Sequence, residues 1–284
     1  NSYKAIGSFN LRQDVREIRD TLGGDKLFRN DANIGMDHFT DVSQEAGIYG
    51  SLIGFGLGVT VGDINMDGWQ DIYVSNDFFE RDYLYLNQHD GTFKEDLTNE
   101  MQCTSAASMG ADMADINNDG YPDIFTTDML PDDDYRLKTT TTFDNIDVNR
   151  LKQKSGFYNQ YTQNTLQINT QHNKFVETGF YSGVAASDWS WGGLIFDADN
   201  DGLSDIYVCN GIYKDVTNQD FIDFFANDVI QKMLMTGRKD QFDEIVAKMP
   251  STPIPNKFFH NKGNFQFVDK AATYELGQPS FSNG

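Results

Sequence analysis

Asp63-Ile-Asn65-Met-Asp67-Gly68-Trp69-Gln-Asp71 is a nine-residue pattern that returns twice along the chain. The second copy is Asp115-Ile-Asn117-Asn-Asp119-Gly120-Tyr121-Pro-Asp123. The third is Asp197-Ala-Asp199-Asn-Asp201-Gly202-Leu203-Ser-Asp205. Oxygen ligands at alternate positions suit a hard cation, and the glycine permits the sharp turn that wraps the loop around it. The pattern reads as a calcium loop. Side chains at positions 1, 3, 5 and 9 supply oxygens, and the backbone carbonyl at position 7 (Trp69, Tyr121 and Leu203) supplies another. Clusters of Asp, Asn and Gly also make ordinary turns, but three copies at one spacing point to metal. An EF-hand is excluded, since it requires Glu at position twelve and flanking helices. Position twelve here is Val74, Thr126 or Val208.

Each ninth position opens a β-branched and aromatic run: Asp71-Ile-Tyr-Val-Ser, Asp123-Ile-Phe-Thr-Thr and Asp205-Ile-Tyr-Val-Cys. These runs read as strands, so each loop joins two strands. A second repeated element runs from Asn87 to Phe93, Asn169 to Phe175 and Asn261 to Phe267, always with the same offset; a looser copy lies between Leu27 and Phe39. It reads as strand, polar turn, strand. Four short strands per unit of about 50 residues indicate the blades of a propeller rather than a solenoid.

These residues resemble the FG-GAP/VCBS-type repeat family, which supplies the calcium-bearing blades of integrin α-subunit propellers and of many bacterial surface proteins. The Phe-Gly signature is present loosely as Phe55-Gly56, Met109-Gly110 and Trp191-Gly192, and Gly58, Gly110 and Gly192 each precede a loop by five residues. The wording around Phe39-Thr-Asp-Val-Ser-Gln-Glu-Ala-Gly47 is similar to Bacteroidetes-type VCBS-repeat proteins. The resemblance implies an all-β chain: a β-propeller, partial or a fragment of a larger one, with helical insertions. It would comprise about four repeat units over residues 1–284. Gly284 aligns with Gly58, Gly110 and Gly192, so a further calcium loop is expected beyond it.

A formal net charge of −21 argues against a nucleic-acid partner, which needs a basic footprint, and against docking on anionic lipid. No apolar run is long enough to span a bilayer. Two cysteines, Cys103 and Cys209, rule out a disulfide framework; buried thiols are expected, with one bridge as the alternative. Three of the four histidines, His89, His172 and His260, lie in or beside the Asn-to-Phe turns and read as turn residues rather than ligands.

Two insertions interrupt the repeat, near 129–160 and 211–253. The first is expected to hold a short helix around 143–154. In the second, Thr217-Asn-Gln-Asp220 resembles a cap, and Phe221, Phe225, Val229 and Met233 recur at helical spacing up to Gly237. Phe242, Ile245, Val246 and Met249 suggest another helix, stopped by Pro250. Such a face could pack on the propeller or dock a partner.

The functional expectation is a non-catalytic, calcium-stabilised binding or scaffold module at the cell surface, extracellular or outer-membrane associated. Its partners would be proteins of a surface assembly, or a glycan. The alternative is a lyase-like, polysaccharide-active enzyme, since some polysaccharide lyases resemble calcium-bearing propellers. That chemistry needs a base and a cationic neutraliser, and no cluster of Lys or Arg supplies one.

Overall fold

The strands of the computed structural model run, in chain order, β1 (Phe28–Asn30), β2 (Phe39–Asp41), β3 (Gly56–Gly62), β4 (Asp71–Asn76), β5 (Tyr83–Asn87), β6 (Phe93–Glu95), β7 (Thr104–Ser105), β8 (Ala111–Ala114), β9 (Asp123–Thr126), β10 (Gln160–Tyr161), β11 (Thr165–Asn169), β12 (Phe175–Glu177), β13 (Ser190–Phe196), β14 (Asp205–Asn210), β15 (Ile254–Pro255), β16 (Lys257–Asn261), β17 (Phe267–Asp269) and β18 (Pro279–Ser280). Residues 13–32, 38–140, 145–172, 174–226, 231 and 242–283 are described. The chain is mostly β. Three four-stranded antiparallel sheets, β3-β4-β5-β6, β8-β9-β11-β12 and β13-β14-β16-β17, repeat one up-and-down order, as propeller blades do. The acidic loops join the first and second strands of each sheet. The Asn-to-Phe elements are the hairpins between the third and fourth. The looser copy also forms a hairpin, with Phe28 opposite Asp41 and Asn30 opposite Phe39.

The sheets pack face to face, and strand alternation sends successive side chains into different interfaces. Tyr73 packs with Leu84, Ile124 and Phe175 between the first and second sheets. Its neighbour Val74 turns the other way, onto Ala46, Ile48, Tyr83 and Tyr85. Phe125 joins Leu166, Ile206, Val208 and Phe259 between the second and third sheets. Second and third strands buried on both faces read as continuous apolar runs.

The glycines five residues ahead of the loops have a packing reason. A Cβ on Gly58 would stand 2.8 Å from the carbonyl oxygen of Met109, and one on Gly110 would stand 2.5 Å from that of Trp191. Backbone thus meets backbone where neighbouring sheets touch, and no side chain fits. Gly110→Val is expected to cost on the order of 2–4 kcal/mol in urea unfolding, because the obstructing atoms belong to a rigid strand. A loss under about 1 kcal/mol would show that the sheets separate easily.

Both insertions connect a second strand to a third. In the first, the expected helix is Ile146–Lys154, capped by Asn145, whose Oδ1 accepts from the N–H groups of Asp147 and Val148. A further helix, Asp134–Thr139, was not foreseen; Asp133 caps it by accepting from Arg136 N–H. In the second insertion, Asn218 Oδ1 accepts from Phe221 N–H at 2.8 Å. The turn that follows, Phe221–Ala226, is a π-helix rather than the α-helix that the periodicity suggested. The helix Phe242–Lys248 stops ahead of Pro250, as expected. Val229, Met233 and Gly237 lie outside the described residues. The two insertions meet: Thr140 bridges Asn218, and Arg136 pairs with Asp215 at 2.5 Å and with Asp188 at 3.0 Å.

Candidate metal centre

The three acidic loops share one backbone. Position 4 is left-handed in each, with φ of 58°, 59° and 59° at Met66, Asn118 and Asn200. Position 6 is left-handed too, with φ of 89°, 90° and 87° at Gly68, Gly120 and Gly202. Asn tolerates that region, but Met66 does so only because the loop imposes it. The first aspartate anchors the turn. Asp63 Oδ1 accepts from Asp67 N–H at 3.0 Å and Oδ2 from Gly68 N–H at 2.8 Å. Asp115 repeats this with Asp119 and Gly120 at 3.1 and 2.8 Å, and Asp197 with Asp201 and Gly202 at 3.1 and 3.0 Å. The position-5 carboxylates of Asp67, Asp119 and Asp201 accept from the N–H groups of Trp69, Tyr121 and Leu203 at 2.9, 2.9 and 2.8 Å.

Position 9 fastens the loop to the sheet. Asp71, Asp123 and Asp205 are buried, at 0, 0 and 1 % exposure. Each accepts from the position-2 N–H and, at 2.8 Å, from the N–H of Asn87, Asn169 or Asn261. The Asn-to-Phe element is therefore part of the site. The side chains of Asn87, Asn169 and Asn261 also donate to the carbonyls of Gln70, Pro122 and Ser204, at the eighth position of their own loops. Asn169 and Asn261 reach further, to the carbonyls of Ile64 and Ile116 in the preceding loops, at 2.9 and 3.3 Å. Loop and hairpin are bolted together, sheet after sheet.

Like charges accumulate here. Burial pushes the Asp123 carboxyl up to about 7, and the neighbouring Asp119 and Asp115 add to the shift. Burial also raises Asp71, with Asp67 and Asp63 adding. Asn65 Nδ2 donates to Asp67 Oδ2 at 2.9 Å, and Asn117 Nδ2 to Asp119 Oδ2 at 3.1 Å. These amide donors stand where positive charge is favoured. In the third loop position 3 is Asp199, so Asp197, Asp199 and Asp201 bring carboxylate oxygens within 4.8 Å of one another. An all-oxygen, carboxylate-rich donor set fits a hard divalent cation. The residues present fit calcium at each loop.

Two histidines touch the loop carboxylates as well. His89 does sit in a turn, with φ 66°, but its Nε2 lies 2.8 Å from Asp67 Oδ2 and its ring stacks on Trp69. His89 is the first cause of the lowered Asp67 pKa. Gln171 takes the equivalent place beside Asp119, at 3.1 Å. His260 is no turn residue. It lies in β16, buried, with Nδ1 3.1 Å from Asp205 Oδ1. The signal in the sequence was its position just before the hairpin asparagine, where the other sheets have Leu86 and Ile168. Cys103 and Cys209 form no disulfide and are half-buried rather than buried. Burial pushes the Cys103 thiol up to about 11.

At the strand ends away from the loops lies a cavity of about 450 Å³, walled by Phe78, Phe79, Met109, Met129, Leu130 and Trp189. Arg136, which also lines it, is held by Asp188 and Asp215.

The first two loops and the strands between them match a known family. Residues 63–126 match the FG-GAP-like repeat. The chain is distantly similar to integrin α subunits. It is 38 % identical over 81 residues to integrin α-6 of Homo sapiens, a stretch covering 25 % of this chain and 7 % of that protein. It is 41 % identical over 83 residues to integrin α-7 of Rattus norvegicus, covering 25 % and 7 %. With integrin α-3 of Mus musculus it shares 31 % identity over 97 residues, covering 30 % and 9 %. The match thus spans under a tenth of each relative's length. Among the described residues no helix is long and apolar enough to cross a membrane.

Proposed function

We propose that this chain is a non-catalytic, calcium-stabilised propeller module that binds or scaffolds partners at a cell surface. The observation that carries the reading is the congruence of the three loops. Each presents its carboxylates on the same turn, with the same buried ninth aspartate fastened to the same asparagine. Calcium would be held by Asp63, Asn65, Asp67 and Asp71, by Asp115, Asn117, Asp119 and Asp123, and by Asp197, Asp199, Asp201 and Asp205. Carbonyls of Trp69, Tyr121 and Leu203 would complete the three sets. The ion's role is structural, offsetting repulsion within each loop.

The similarity to integrin α subunits supports an extracellular setting and a protein partner within a surface or outer-membrane assembly, or a glycan. The paired insertions supply the candidate contact surface, where Tyr135, Ile146 and Tyr213 are exposed. A lyase-like, polysaccharide-active role is the weaker proposal, because Arg136 beside the cavity is already neutralised by two aspartates.

Isothermal titration of the chelator-stripped chain with calcium tests the reading. Three equivalents are expected, and Asp63→Ala should remove one of them while the other two persist. No calcium heat with a folded protein rejects it.

A further inference from the structure

The third loop departs from the first two around a single point. Position 3 is Asp199 instead of asparagine, and the residue before the hairpin asparagine is His260 instead of Leu86 or Ile168. A third partner is also specific to this loop: the Tyr274 hydroxyl donates to Asp199 Oδ2 at 3.1 Å. His260 is 6 % exposed, in a strand position where the second sheet buries an aliphatic side chain in its core. Packing alone does not call for an imidazole there, and burying one costs free energy unless it has polar partners.

Its partners are the two carboxylates. His260 Nδ1 is 3.1 Å from Asp205 Oδ1 and 3.7 Å from Asp199 Oδ2. The ligand atoms of all three residues lie within 4.8 Å of one another. A tetrahedral ion bound at about 2.0–2.2 Å spaces its ligand atoms roughly 3.3–3.6 Å apart, and the two observed separations bracket that range. Calcium prefers oxygen at longer distances, whereas ions of the zinc class accept imidazole with carboxylate. Asp199 is solvent-exposed, which leaves a fourth position for water. Tyr274 steadies the carboxylate from behind, as outer-sphere partners of metal ligands do.

We infer that Asp199, Asp205 and His260 form a site for a nitrogen-accepting divalent ion of the zinc or cobalt class. The site shares Asp199 and Asp205 with the third calcium loop, so the two ions compete there. Only this competition rests on the calcium reading; the His-Asp-Asp site stands without it.

Cobalt(II) is the probe, added to the full chain after chelator treatment and removal of the chelator. A visible d–d absorption should rise to saturation at one equivalent and vanish when zinc is added. His260→Ile should weaken cobalt binding at least tenfold. Asp199→Asn, the residue used by the other loops, should do the same, and its melting temperature in calcium reports that it is folded. Asp197→Ala should abolish calcium competition while keeping the cobalt band. Three calcium equivalents with no His260-dependent cobalt band overturn this inference and leave the calcium reading intact. A His260-dependent band without calcium binding overturns the calcium reading instead.

Discussion

Removal of calcium with excess chelator should lower the melting temperature by on the order of 20 °C. Ligand that binds only the folded state adds RT ln(1 + [L]/Kd), about 2.7 kcal/mol per site at a hundredfold excess over Kd. Three loops then contribute about 8 kcal/mol, and each kcal/mol moves the midpoint of a chain this size by roughly 2–4 °C. The loops carry ten carboxylates among their ligand positions. Those of Asp71 and Asp123 are raised by burial and by their loop neighbours, so the cation-free state is the strained one. Asp119→Ala should reproduce only part of one site's share, since deleting a carboxylate weakens the cage and also relieves repulsion. Differential scanning calorimetry in calcium and in chelator decides. Equal midpoints would mean that the loops stand without metal.

The second large effect is expected far from the loops, at Asp128. This residue is fully buried, and its Oδ2 accepts from the Ser105 hydroxyl and from the N–H groups of Ala106, Ala107 and Gln163. Its Oδ1 accepts from Met129 N–H at 2.5 Å. Asp128→Ala takes the acceptor from the Ser105 hydroxyl and from the N–H groups of Ala107, Gln163 and Met129, while Ala106 N–H keeps the Tyr161 carbonyl, and the expected loss is about 3–5 kcal/mol. Asp82 is the informative contrast. It too is buried, with Oδ1 accepting from Asn76 N–H and Oδ2 from the hydroxyls of Tyr73 and Ser108. Hydroxyls can turn to accept from an amide, and Asn164 and Asn256 occupy the same place in the other sheets, each accepting the equivalent N–H. Asp82→Asn should therefore cost no more than about 1 kcal/mol.

Both aspartates also make stability depend on pH. Burial pushes Asp82 up to about 7 and Asp128 up to about 6. A folded-state pKa above the unfolded one means that the folded chain holds the proton more tightly. The stabilising contribution is complete below the unfolded value, near 4, and is lost as pH rises through the folded values. Wild-type stability from this pair should fall between about pH 4 and pH 7, and Asp82→Asn should flatten part of that slope. Urea midpoints that are independent of pH in both proteins would refute the assignment.

The loops and the strands around them were legible in the chain alone. Their chemistry is local: Asp63 reaches only to Gly68, and the β-branched run begins at Asp71. Spacing along the chain therefore carries the information, and three copies removed the ambiguity of one. The helix Ile146–Lys154 and the stop before Pro250 were legible for the same reason. Tertiary structure alone decided how the loops are fastened and what else faces them. Asn169 reaches Ile64 across 105 residues, and His260 meets Asp205 across 55. Nothing in the local pattern marks Asp128 as the acceptor for a loop 22 residues away. Such partners are set by strand register and by which face alternation turns toward the neighbouring sheet, and both are fixed only when the sheets pack.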